Sequence, residues 1–219
     1  MAFNLLIETG AQSDFQYIVE EGREGEPSRV YIEGPYMVAE KVNKNKRYYV
    51  KEEMAKEVER YTTEMIGNQR AMGELNHPST AEVDLERACH IVTELKNNGN
   101  EWMGKSKVLS TPCGKIVENL IRDGVKVGMS TRSLGKLIEE TGGINRVKDM
   151  KLVAIDCVAD PSYSGAFVDG ILESKQWICD KNGNFCELYE TFENKISDLP
   201  RKDSNKTIKE ALGAFFKSL

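Results

Sequence analysis

The chain has 219 residues and a formal net charge of −5. It is long enough to bury a full core, and its 40% hydrophobic and 30% charged residues are those of an ordinary globular protein. The acidic balance leaves no electrostatic footprint for nucleic acid; no apolar run approaches the roughly 18–20 residues of a membrane span; and the first residues lack the basic and long apolar regions of a secretion signal.

Residues 29–42 read as extended, being rich in β-formers and broken at Gly34-Pro35. A polar, basic loop at 43–47 leads into Tyr48-Tyr49-Val50. Residues 52–66 are good helix formers and place Met54, Val58, Tyr61 and Met65 near one face. The stretch 67–80 is predicted to be irregular, passing through His77-Pro78. Residues 90–95 and 102–109 read as two strands of a hairpin around Asn97-Asn98-Gly99-Asn100. A short amphipathic helix over 115–122 is closed by Asp123-Gly124. An alternating strand over 125–130 carries Ser130 at its end.

After a turn at Gly142-Gly143, residues 144–148 and 151–159 are predicted strands, the second being the most strand-like segment of the chain. From about residue 170 the character changes. Residues 1–173 read as the main domain, 174–204 as a polar linker or extension, and 205–219 as an amphipathic helix presenting Ile208, Leu212, Phe215 and Phe216 on one face. The whole reads as a mixed α+β core dominated by strands, followed by a tether and a tail helix.

Five cysteines at irregular spacing argue against a disulfide framework and for reduced thiols. Cys179 and Cys186 flank a turn, but neither histidine lies near them in sequence, so no metal site is expected.

The chain has two histidines, so few serine–histidine pairings are available. A serine hydroxyl is a poor nucleophile without an adjacent base, and an imidazole base needs a partner that fixes its tautomer. His77 lies in loop chemistry before a proline, whereas His90 sits inside a predicted strand beside Cys89 and reads as structural. Ser130, Ser133, Ser162 and Ser164 are the competing hydroxyls. Asp156 lies in the middle of the apolar run 152–159, where an ionised carboxylate is costly unless it is paired; a solvent-facing position on a half-exposed strand is the other reading. Asp160, before Pro161, is the alternative acid. A thiol enzyme using Cys157 or Cys113 has no assigned histidine.

Several segments carry a resemblance: Leu5-Leu6-Ile7-Glu8, Tyr31-Ile32-Glu33-Gly34, Ala39-Glu40-Lys41-Val42-Asn43-Lys44-Asn45-Lys46-Arg47, Gly73-Glu74-Leu75-Asn76-His77-Pro78, Ser130-Thr131-Arg132-Ser133-Leu134-Gly135 and Asp156-Cys157-Val158-Ala159-Asp160-Pro161-Ser162. In this order and spacing the chain resembles, over roughly residues 4–170, the prohead core proteases of T-even-type tailed phages, serine peptidases related in fold to herpesvirus assemblin. The resemblance implies a mainly antiparallel, β-barrel-like core surrounded by helices. It implies His77 as general base, Ser130 as nucleophile and Asp156 as third member. An oxyanion site must accompany them, and Arg132 is a candidate contributor, by its side chain or by positioning backbone donors.

It further implies cleavage of scaffold and capsid precursors after glutamate inside the viral prohead, assembled in the bacterial cytoplasm, without cofactor or metal. A homo-oligomer is compatible with this reading. Glu8, Glu20 and Glu173 end aliphatic-x-Glu triplets near the predicted edges of the core and are candidate self-cleavage positions. The competing reading is a catalytically silent scaffold or capsid-assembly protein on the same fold.

Overall fold

A computed structural model of the chain describes residues 3–9, 15–20, 29–78, 80–159, 176–179 and 185–187. The described strands form two sheets. The first has the order β11-β10-β1-β8-β9-β4, made of β1 (Phe3–Thr9), β4 (Arg47–Tyr49), β8 (Gly128–Glu140), β9 (Ile144–Val158), β10 (Gln176–Cys179) and β11 (Phe185–Glu187). The second runs β2-β3-β7-β6-β5, from β2 (Gln16–Glu20), β3 (Arg29–Val38), β5 (Met72–Glu74), β6 (Ala88–Asn98) and β7 (Glu101–Val108). Among the described strands the ladders are antiparallel except that of β4 with β9.

The strand-rich α+β character matches the sequence reading, but among the described residues neither sheet closes on itself into a barrel. The two sheets meet where β5 runs out. Leu75 bridges Cys157, and the Asn76 N–H donates to the Cys157 carbonyl over 2.8 Å. This seam joins the chain just before His77 to the strand that carries Asp156.

One large buried cluster draws on both sheets and both helices, with Leu6, Met129, Val147 and Ile155 from the first sheet and Val30, Ile32, Val92 and Trp102 from the second. Strand β7 shows the alternation of a sheet with one face inward: Trp102, Gly104, Ser106 and Val108 are buried and their neighbours are not. Helix α1 (Lys51–Tyr61) starts with acidic Glu52 and Glu53 and contributes Met54, Val58 and Tyr61 to the core. Glu57 pins it to β9 by accepting from the Leu152 N–H at 2.6 Å. A wider turn follows over Thr62–Ile66, within the span predicted as helix. Helix α2 (Pro112–Arg122) has Pro112 in its first turn and Thr111 as N-cap, accepting from Gly114 N–H at 3.1 Å.

Three differences from the sequence reading matter. The strand expected to end at Ser130 instead begins at Gly128 and runs to Glu140, so the serine stands near the start of a long strand. The two strands expected on either side of residue 150 are one strand, β9, interrupted by irregularities in its pairing with β8 and by Asp149 at φ 53°. Within the expected polar extension, β10 adds to β1 and pairs with β11; Cys179 stands opposite Phe185 and Cys186 opposite Ile178, so the two cysteines are not register partners. The tail helix expected over 205–219, Ser162, Ser164, Asp160 and Glu173 lie outside the described residues.

Short β5 was hidden in a segment predicted to be irregular. Gly73 explains its close approach to the core: an added Cβ would lie 2.0 Å from the Ile155 carbonyl oxygen and 2.2 Å from His90 Nε2. Both neighbours are in the interior and cannot swing aside. Gly73→Ala is therefore expected to destabilise the fold by about 1–3 kcal/mol, the usual cost of overpacking; urea melts of the two proteins check this.

Candidate active site

Ser130 and Asp156 stand directly opposite each other on β8 and β9, and strand alternation turns both side chains to the same face. Both are completely buried. His77 arrives from the loop after β5, steered by the seam at Leu75 and Asn76, and its side chain keeps 12% exposure. Its Nε2 lies 2.6 Å from Ser130 Oγ and its Nδ1 lies 2.9 Å from Asp156 Oδ2. The imidazole thus bridges an alcohol and an acid, the three residues that the resemblance singled out.

Asp156 accepts four hydrogen bonds. Oδ1 takes the Glu74 N–H at 3.0 Å and Arg132 Nη2 at 3.3 Å; Oδ2 takes His77 Nδ1 and Arg132 Nε, each at 2.9 Å. Burial works to raise its carboxyl, but the His77 hydrogen bond, the Arg132 charge, the His77 charge and the Glu74 N–H together outweigh it and hold the group below the ordinary value. An ionised Asp156 must receive a proton-bearing Nδ1, which leaves the lone pair on Nε2, facing the serine. In that tautomer the Ser130 hydroxyl can give its proton to the ring.

The serine has a second acceptor. Its Oγ lies 2.9 Å from the main-chain oxygen of Glu8 on the adjacent strand β1. The single hydroxyl proton is therefore divided between the imidazole and a carbonyl. Glu8 itself is held firmly: its carboxylate accepts from Arg47 at 3.0 Å, Tyr49 Oη at 2.6 Å, Asn45 at 3.0 Å and Asn43. Burial nevertheless raises its carboxyl above the usual value.

Of the remaining expectations, two need correction. Arg132 does not offer its side chain to an oxyanion: it is fully buried, and its bonds run to Asp156, Glu74 and the carbonyls of Thr80 and Glu82. Glu8 is not at an easily nicked edge, because β1 lies between β8 and β10 with Leu5 and Leu6 completely buried. Glu20 does end the exposed edge strand β2. His90 is buried on β6, and Ser133 is buried as well. Among the described residues no cluster of three or more histidine, cysteine or acidic side chains could hold a metal ion.

Glu74 was missed as a site residue. It is fully buried, bonds Arg132 at 2.7 Å and Arg87 at 3.2 Å, and closes a network of two carboxylates and two guanidiniums. Its position three residues before His77 was the available signal.

This arrangement, a serine, an imidazole and an acid in hydrogen-bonded sequence, is that of a nucleophilic hydrolase. The chain belongs to the prohead core protein serine protease family, whose model matches residues 6–176. It is a phage protease of prohead and capsid assembly. It is 40% identical over 144 residues to the prohead core protein protease of Enterobacteria phage T4, a match covering 64% of this chain and 68% of the relative. Its fold is similar to that of the bacteriophage T4 capsid assembly protease gp21, with a TM-score of 0.66, 35% identity, and coverage of 73% of this chain and 99% of the other.

The buried His90 gives the site's surroundings a definite acid response. Burial pushes its pKa down from 6.5 to about 4, with only partial compensation from the Asp156 charge and the Ile155 carbonyl. In the unfolded chain it takes a proton near 6.5, so folding stability is full above that value and falls as the pH drops towards about 4. The loss amounts to roughly 3 kcal/mol if this group acts alone. Denaturant melts between pH 7 and 4 should show this slope, and His90→Leu should flatten it.

Proposed function

We propose that this chain is a serine endopeptidase in which Ser130 is the nucleophile, His77 the general base and then the general acid, and Asp156 the group that orients and charges the imidazole. The observation that carries this reading is the continuous bridge from Ser130 Oγ through His77 to Asp156 Oδ2, at 2.6 and 2.9 Å, between residues 53 and 79 positions apart in sequence. Chance packing of a loop histidine has no reason to use both ring nitrogens in this way.

In the first half-reaction Ser130 Oγ attacks the scissile carbonyl carbon while its proton passes to His77 Nε2. The resulting imidazolium is stabilised by ionised Asp156, which keeps its charge throughout. The tetrahedral adduct expels the amine, which takes the proton from Nε2, and leaves an acyl ester on Ser130. Water then enters, gives a proton to Nε2 and attacks the ester carbon; the proton returns to Ser130 Oγ as the carboxylic product leaves.

The substrates we propose are the scaffold and capsid precursors of the prohead interior, cut after glutamate. Family membership supports the precursors as substrates, and the glutamate preference is carried over from the family resemblance. For self-processing, Glu20 at an exposed strand edge is the better placed of the described candidates, because trimming after Glu8 would remove a central strand.

Replacing Ser130 with Ala is expected to abolish precursor cleavage, lowering turnover by about 10⁴-fold or more while the protein melts normally. Gel analysis of co-expressed precursors and mass spectrometry of the new termini read both the loss and the residue cut. Unchanged processing by the Ser130→Ala protein would leave only the assembly-protein reading.

A further inference from the structure

We propose that Arg132 is a positioning residue of this site: a single buried guanidinium that holds the segments bearing all three triad members in register. The proposal rests on the triad reading given above. Arg132 stands two residues after Ser130 on β8, so the strand's period of two places both on one face. A guanidinium has five N–H donors in a fixed planar fork. Here five acceptors meet them: Asp156 Oδ2 at Nε (2.9 Å), Asp156 Oδ1 and Glu74 Oε1 at Nη2 (3.3 and 2.7 Å), and the carbonyls of Thr80 and Glu82 at Nη1 (2.7 and 2.9 Å).

The pattern is informative because of what each contact fixes. The bidentate grip on Asp156 sets the angle at which Oδ2 meets His77 Nδ1. Glu74 and the Thr80 and Glu82 carbonyls lie on either side of His77 in the chain, so Arg132 grips the loop both before and after the imidazole. Glu74 also donates its N–H to Asp156, closing a ring of contacts around the acid. If Arg132 served only to neutralise buried carboxylates, two carbonyls of an outer loop would be superfluous partners. Lysine can match the charge but not the fork, since its ammonium is a compact donor with three protons.

The test uses the full chain and a fluorophosphonate probe, whose rate of attachment to Ser130 reads nucleophile activation. Arg132→Lys keeps the buried charge and is expected to melt as a folded protein yet label about 100-fold more slowly, the usual effect of a misplacement of about 1 Å. The far-downfield proton resonance expected of His77 Nδ1–H in the unaltered protein should shift or vanish in the variant. In Arg132→Ala, millimolar guanidinium should restore part of the lost rate, and urea, neutral and of similar shape, should not.

An Arg132→Lys protein that labels at the original rate with the resonance in place would overturn the proposal. Where neither variant folds, the unaltered protein decides: its Arg132 Nε–H must exchange with solvent as slowly as core amides, and fast exchange overturns the assignment. Failure of the unaltered protein to label, with slow Nε–H exchange, would bring down the triad reading rather than the placement of Arg132.

Discussion

A charged carboxylate with no access to water, set between Ile155 and Cys157 near the end of core strand β9, is the constraint from which the rest of the site follows. Left unpaired, such a group would lose its charge or unfold the strand. Asp156 escapes both outcomes through four donors brought from three places: the main chain of β5, the loop after it, and the neighbouring strand β8. Satisfying the acid and assembling the hydrolytic geometry are therefore one event. The imidazole is drawn to Asp156 for the acid's sake and meets Ser130 because that residue is its register partner on β8. A buried network of this kind is costly to break, by roughly 3–5 kcal/mol when one member is removed, so the proposed mechanism couples stability to activity.

The other face of the same sheet is built with similar care. Glu8, on β1, turns its carboxylate into a cradle of Arg47, Tyr49, Asn43 and Asn45 while its main-chain oxygen stands against the Ser130 hydroxyl. The Ser130 hydroxyl is thus fixed from both neighbouring strands, β9 through the acid and imidazole and β1 through a carbonyl. Functional groups mounted on paired strands hold their geometry better than groups on free loops. Only His77 comes from a loop, and that loop is tied down at Leu75, Asn76, Thr80 and Glu82.

Much of this was legible in the sequence, for identifiable reasons. Strands such as β3, β6 and β9 announced themselves through β-branched and aromatic residues, and the β6–β7 hairpin through its Asn-Gly turn, where Gly99 takes φ 68°. An acid in an apolar run made Asp156 a candidate and left His77 as the histidine outside a predicted strand, and the family resemblance then assigned His77, Ser130 and Asp156 their proposed roles. What could not be read was long-range. Strand β5 is three residues long and exists because Gly73 lets it approach Ile155. The first strand's central place depends on pairing with β8, more than a hundred residues away. Arg132 looked like a candidate for stabilising an oxyanion because its type fits that task; its actual partners, two carboxylates and two loop carbonyls, are set by tertiary contacts that no local pattern encodes.

The most direct measurement of the central claim is peptide mapping of the protein after exposure to a fluorophosphonate, alongside its His77→Gln variant. The expected result is one phosphonyl group on Ser130, absent or greatly delayed when the imidazole is removed. An adduct on Ser133 or another hydroxyl, or equally rapid modification of Ser130 without His77, would contradict the view that this buried acid, ring and alcohol work as a unit.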